Sequence, residues 1–203
     1  MILQKGALTT DISNLLILGS GSIARKELLT SVGLVPDKIE TPYVDESLEP
    51  NESPRHYVSR VARLKASAIA CDKYSYLITA DTTVNVGKRF LVKTYNEIKA
   101  EEYLRLLSGR RHTVLTAFCV KHNDLIILKS VKTVLKMRLL TEQEIRAYID
   151  SREWVGCAGA YSIQGRAKCF FPFISGCYSN VVGLPLPSLI SVLSGMGFYK
   201  KVK

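Results

Sequence analysis

The chain has 203 residues, 47% hydrophobic and 23% charged, a balance suited to a globular protein with a substantial core, as one domain or two close lobes. Its longest apolar stretches, such as Leu15 to Leu18 and Leu125 to Leu128, fall far short of the roughly 20 residues that cross a bilayer. Only Lys5 precedes the polar stretch from Thr9 to Asn14, without an apolar core or a small-residue cleavage site, so no secretory signal is expected and a cytoplasmic address follows.

Leu15 to Leu18 reads as a short buried strand, followed by the small-residue turn Gly19-Ser20-Gly21-Ser22 and an amphipathic segment from Ile23 to Val32. Ser53 and Pro54 form a helix start, a cap followed by proline at the first helical position, and that helix is expected to run to about Cys71. Within it Lys65 falls on or beside a face made by Val58, Val61, Ala62, Ala68 and Ile69. A lysine there needs an anionic partner or a route to solvent.

Leu77 and Ile78 lead as a buried strand to Asp81, and Val84 to Val92 reads as a hairpin turning near Gly87 and Lys88. A helix from about Asn96 to Leu107 is closed by Gly109. Residues 112–121 and 125–138 are β-rich around the Asn123-Asp124 turn, and Thr141 to Glu144 matches a capping box opening a helix to about Asp150. The last third reads as strand, glycine-rich loops and a terminal helix near Pro187 to Ser194. No internal repeat, low-complexity tract or Pro/Ser-rich linker interrupts the chain, so mixed α/β content in a two-lobed single unit is expected over residues 1–203.

The five cysteines (Cys71, Cys119, Cys157, Cys169 and Cys177) are odd in number and without CxxC spacing, which argues against a disulfide framework or a zinc site. They read as reduced and mostly buried. The formal net charge of +10 favours anionic partners, either nucleic acid or small phosphorylated molecules, or reflects a lysine-rich surface. The basic residues are spread along the chain without interleaved aromatics or a zinc-finger, RRM or basic-zipper pattern, so no stable nucleic-acid complex is expected.

Several segments carry residues suited to phosphate chemistry. Ser20-Gly21-Ser22 before a helix holding Arg25 would let backbone donors and a helix N-terminus approach phosphate, although it matches neither the P-loop nor GxGxxG, and an ordinary strand-to-helix turn explains it as well. Asp81, at the carboxyl end of an apolar strand, suits metal binding or water activation, or a turn. Asp45 and Glu46 offer a carboxylate pair for a hard cation, or a solvated loop. Lys65 and Lys93 suit a triphosphate's charge, or the surface. In Ala158 to Gly165, small residues allow close backbone approach and Gln164 offers an amide to a nucleobase edge, although a tight turn would look the same. Arg110, Arg111 and His112 read as a solvated basic run. No cysteine stands in a nucleophile motif.

Together these segments resemble the Maf family from Leu15 to Leu193. The resemblance runs through Leu18 to Ser22 with Arg25, Val44 to Glu46, Val61 to Ala66, Ala80 to Thr82, Leu107 to Gly109, Ala158 to Tyr161, Ile163 to Gly165 and Asn180 to Leu186. It implies an elongated mixed β-sheet flanked by helices, with a cleft between two lobes. It further implies a pyrophosphatase that splits nucleoside triphosphates at the α-β anhydride into monophosphate and pyrophosphate, with Mg²⁺ or Mn²⁺ and as a homodimer. The family's catalytic aspartate falls on Asp81, which with Glu46 would hold the metal. Ser20, Arg25, Lys65, Lys93 and Gln164 fall on its substrate-binding positions, with Thr82 beside Asp81 in the same motif. The Ala158 to Tyr161 segment and Gln164 resemble the branch acting on dTTP and UTP. Ala24 departs from the family pattern at a position tied there to substrate choice. The rival from another class is a nucleotide-sensing or nucleic-acid-binding regulator of cell division without turnover.

Overall fold

The computed structural model describes residues 14–198; the stretch read for a secretory signal lies outside them apart from Asn14. No helix among the described residues is long and apolar enough to cross a membrane. The elements in chain order are β1 (Leu15–Gly19), α1 (Ile23–Ser31), β2 (Lys38–Ile39), α2 (Pro54–Ser67), β3 (Ser75–Val86), β4 (Arg89–Leu91), α3 (Glu97–Leu107), β5 (Arg111–His122), β6 (Leu125–Lys136), α4 (Glu142–Asp150), a 3-10 turn (Arg166–Phe170), β7 (Phe173–Ser175), α5 (Tyr178–Val182) and α6 (Leu186–Gly195).

The strands form one mixed sheet in the order β2-β1-β3-β5-β6-β7, with β4 also paired to β3. The β1 pairings with β2 and β3 are parallel; all others are antiparallel. Strands β3, β5 and β6 have 12 residues each, about 40 Å of extended chain, and give the sheet its length. The expected elongated sheet with flanking helices is what forms.

Local chemistry explains the element boundaries. The Ser53 side chain accepts the His56 amide with Pro54 at the helix start, Asn96 caps α3 through the Lys99 amide, and Thr141 and Glu144 form a reciprocal capping box on α4. Gly87 turns the β3-β4 hairpin at φ 55° and Asn123 turns β5-β6 at φ 53°. The second helix stops at Ser67 rather than near Cys71, because Ile69 leaves the helix face to pack with Ile17 and Leu77 in a small separate cluster.

Two larger cores lie along one face of the sheet. Around α1 and α6, strand residues Tyr76, Ile78, Ala80, Phe118 and Val120 pack with Leu29, Leu189 and Leu193. Around α3 and α4, Val84, Val86, Val114 and Leu135 pack with Leu104, Ile145, Tyr148 and Trp154. Each large side chain fully buried in this way contributes roughly 1.5–3 kcal/mol. Helix α2 covers the other face, setting Tyr57, Val58, Val61 and Ala62 against Leu115, Ala117 and Cys119. The two main cores are distinct clusters along the sheet, with Val182 packed against both.

The cysteines depart from expectation. All five are free, but only Cys119 is buried; Cys71, Cys157 and Cys177 are half-buried and Cys169 is exposed. The other four lie in loops or in the 3-10 turn, where there is little apolar packing to cover them.

Candidate functional site

The sheet leaves an opening beside β3. Its edge pairs with β1 from Ser75 to Thr79 and with β4 from Val84 to Val86, while its opposite edge is continuously paired with β5 from Leu77 to Asn85. Residues 80–83 therefore face a gap where β1 has ended and β4 has not begun. Asp81 accordingly sits in the middle of a long strand, not at a strand's end as the apolar run suggested; what ends beside it is the parallel neighbour β1. Because successive side chains on a strand point to opposite faces, Asp81 faces α2 while Thr82 faces α1 and α5.

On the α2 face, Lys65 donates to Asp81 Oδ1 at 2.8 Å and lies 2.8 Å from Glu46 Oε1. Lys65 and Asp81 are 5% and 2% exposed, so the lysine on the apolar helix face has found anionic partners rather than solvent. Two carboxylates bracketing one ammonium offset the cost of taking each charge from water. Glu46 arrives on an irregular loop fastened by Tyr57, whose hydroxyl donates to the Glu46 carbonyl at 3.0 Å. Partial burial raises the Glu46 carboxyl, but the hydrogen bond and charge of Lys65, with Lys93 and Arg25, outweigh it and hold the group below the ordinary range. Asp45 does not share the site. It is exposed and turns its carboxylate to the Ser47 amide at 2.8 Å, so the expected pair is split.

On the opposite face, Arg25 is 5% exposed and held at three points. It donates through Nε to the Gly183 carbonyl at 2.9 Å, through Nη1 to Ser20 Oγ at 2.9 Å and through Nη2 to Thr82 Oγ1 at 3.2 Å. Burial pushes its pKa down, opposed by the charges of Asp81 and Glu46. Gly19 and Gly21 have packing reasons to be small: a Cβ would lie 2.6 Å from Thr79 Cγ2 and 2.8 Å from Thr41 Oγ1.

The cleft has two connected chambers. One is walled by Arg25, Val84, Tyr161, Ile163, Gln164 and Val182, with Ser22 and Ala24 at the start of α1. The other is walled by Glu46, Ser47, Tyr57, Asp81, Thr83 and Val92. Thr82 and Lys93 line both and mark the junction. Lys93 follows β4 and bridges to Ala158 in antiparallel fashion, which ties the 156–160 turn to the cleft wall. Its side chain is open to cleft solvent, yet it stands between the walls. That burial, with repulsion from Arg25 and Lys65, lowers its pKa against the attraction of Asp81 and Glu46.

Of the residues singled out from sequence, Ser20, Arg25, Glu46, Lys65, Asp81, Thr82 and Lys93 therefore meet at the gap, and Gln164 stands exposed at the rim of the first chamber. His112 is not in a solvated run. It is 2% exposed in β5, donates to or accepts from the Tyr161 hydroxyl at 2.9 Å, and is pushed down to about 4 by burial. Tyr57, Thr116 and Asn180 touch or support the site without having been assigned a role from sequence.

Three cations facing two carboxylates leave an excess of positive charge at the junction, suited to a polyanion. Glu46 and Asp81, the two carboxylates that share Lys65, could offer oxygen ligands to a hard divalent cation.

A family model described as Maf-like protein matches residues 15–196. The chain is 44% identical over 182 residues to a dTTP/UTP pyrophosphatase of Roseobacter denitrificans, covering 90% of this chain and 97% of that protein. It is 43% identical over 182 residues to a dTTP/UTP pyrophosphatase of Cereibacter sphaeroides, covering 90% and 95%. It is also 42% identical over 184 residues to a nucleoside triphosphate pyrophosphatase of Anaplasma marginale, covering 89% and 93%.

Proposed function

The chain belongs to the Maf family, and from that premise we propose that it hydrolyses nucleoside triphosphates to monophosphate and pyrophosphate, with dTTP, UTP or modified nucleotides as substrates. The observation that carries this reading is the junction itself: Lys65 shared by Glu46 and Asp81 at 2.8 Å each, beside Arg25 and Lys93, where a polyphosphate chain and an activated water can meet. The names of the relatives support the reaction and the pyrimidine preference.

Asp81 orients the attacking water and takes its proton. One of its oxygens is held by Lys65, which fixes the carboxylate plane and leaves the other oxygen to the water. Arg25, Lys65 and Lys93 neutralise the charge that moves onto departing pyrophosphate. Ser20 supports the substrate from the turn after β1, and Thr82 stands where the two chambers join. The apolar walls of the first chamber, Val84, Ile163 and Val182, enclose the base while Gln164 reads its edge. Ala24 leaves the wall beside the base with only a methyl group, so that wall places little restriction on ring substituents. Glu46 and Asp81 would hold Mg²⁺ or Mn²⁺, which would supply Lewis-acid polarisation of the phosphate oxygens.

The same reading takes residues 1–203 as one catalytic unit, a cytoplasmic homodimer that forms no stable nucleic-acid complex; the resemblance and the dispersed basic residues support it. The test is pyrophosphate release from a panel of canonical and modified nucleoside triphosphates with each metal, using Asp81→Asn as control. Release lost in the variant supports the reading. Silence of the wild-type protein across the panel overturns it in favour of nucleotide sensing.

A further inference from the structure

Along β3 and β5 the two main cores are separated by a polar row. On β3, Tyr76, Ile78 and Ala80 belong to one core and Val84 and Val86 to the other, with Thr82 between them; on β5, Phe118 and Val120 belong to the first and Val114 to the second, with Thr116 between them. The register places Thr82 directly beside Thr116. Apolar side chains at both positions would join the two cores, so the hydroxyls call for another explanation.

Their hydrogen bonds supply it. Thr116, fully buried, donates to the Asn180 carbonyl at 2.8 Å. A hydroxyl has one hydrogen, so in the Thr82–Thr116 contact of 2.9 Å Thr82 is the donor. Thr82 then has only lone pairs left for Arg25 Nη2. Asn180, also fully buried, anchors α5 with its amide group, giving one hydrogen to the Val114 carbonyl at 3.2 Å and one to Thr133 Oγ1 at 2.9 Å. Thr133 passes its own hydrogen to the Cys177 carbonyl at 3.1 Å. The Asn180 carbonyl also accepts the Gly183 amide at 3.1 Å, and Gly183, at φ 127°, turns its carbonyl onto Arg25 Nε.

We propose that Thr116 and Asn180, which do not line the cleft, are positioning residues that fix the Arg25 guanidinium, Thr116 through the Thr82 hydroxyl and Asn180 through the Gly183 carbonyl. Three of the guanidinium's five N–H groups are committed to Gly183, Ser20 and Thr82, and Arg25 lines the first chamber of the cleft. The inference rests on the proposed reaction in taking Arg25 as a phosphate-binding group, but its structural content is independent of turnover.

The test compares Thr116→Val, the hydroxyl-restoring Thr116→Ser, Arg25→Lys and the double variant Arg25→Lys with Thr116→Val. It reads kcat and KM for pyrophosphate release, calorimetric binding of inorganic tripolyphosphate, and thermal unfolding. Loss of a hydrogen bond in a chain ending on a charged group predicts that Thr116→Val lowers kcat about tenfold, changes KM less, and weakens tripolyphosphate binding. Thr116→Ser restores most of the loss. In the Arg25→Lys background Thr116→Val has little further effect on kcat or binding while still lowering the unfolding temperature. Equal effects in both backgrounds make Thr116 merely structural and overturn the inference. If the wild-type protein binds tripolyphosphate but turns over nothing, the proposed reaction fails while the Arg25-dependent binding effect still decides the positioning role. A wild-type protein that does neither overturns both.

Discussion

Lys65→Met removes one charge while keeping a side chain of similar length between Asp81 and Glu46. The two carboxylates, each 2.8 Å from the lost ammonium, would then face each other without it. Asp81 is 3% exposed in its side chain and bears most of the cost, whereas Glu46 is 39% exposed and is partly screened by water. Breaking a buried pair by removing one partner costs about 3–5 kcal/mol. For a chain of this size, each kcal/mol moves the unfolding midpoint by roughly 2–4 °C, so a fall of about 10 °C at pH 7 is expected by calorimetry or circular dichroism.

The pH dependence gives the sharper diagnosis. In wild type the hydrogen bond and charge of Lys65 help hold the Glu46 carboxyl below its ordinary range against its partial burial, and the variant loses that help. Relative to wild type the folded variant therefore binds more protons in the acid range, and its stability falls further behind as pH rises through it. The deficit relative to wild type should be largest at neutral pH and should shrink towards about pH 4. A variant within about 1 kcal/mol of wild type at pH 7, with a deficit flat in pH, would refute the buried-pair reasoning.

Other perturbations test separate parts of the structure. Asp81→Asn should fold and still bind nucleotide while losing at least about a hundredfold in kcat, as removal of a general base does; stopped assays of pyrophosphate release measure it. Gly159→Ala places a Cβ 2.9 Å from Val84 Cγ1 at a φ of 71°, so it should lower stability by more than about 1 kcal/mol and raise KM by displacing the chamber wall, read from melts and steady-state kinetics. Thr141→Ala removes the α4 cap and should cost about 1 kcal/mol in urea unfolding with little change in kcat. The Glu144 carboxyl is held down to about 2 by Arg138 and by the Thr141 amide. Its stabilising contribution is therefore present above about pH 4.5 and lost as pH falls towards 2, and Glu144→Gln should flatten that acid limb in pH-dependent melts.

Local order in this chain was legible because it depends on near neighbours. Ser53-Pro54, Thr141 with Glu144, and the turns at Gly87 and Asn123 each set their own boundaries. Lys65 on an apolar helix face called for an anionic partner or a route to solvent, and Asp81 with Glu46 supplies the first. What sequence could not supply were consequences of pairing across the sheet. Asp81 looks terminal because the apolar run changes there, while the strand continues through Val86 and only its neighbour β1 stops. Asp45 and Glu46 are adjacent, yet the fastening of the Glu46 carbonyl by Tyr57 turns only one of them inward. The roles of Thr116 and Asn180 depend on the β3-β5 register and on where α5 settles. The local trace of Thr116 is a hydroxyl interrupting the alternation of Val114, Phe118 and Val120, and that of Asn180 is its place at the head of the segment running to Leu186.

The central claim is that water held by Asp81 attacks the α-phosphorus and expels pyrophosphate. Hydrolysis of UTP in ¹⁸O-labelled water, with both products examined by mass spectrometry, tests it most directly. The label should appear in UMP and not in pyrophosphate, and the labelled product should vanish with Asp81→Asn. Label in pyrophosphate would mean attack at the β-phosphorus and would contradict the assignment of the junction around Arg25, Lys65 and Lys93 to the leaving group.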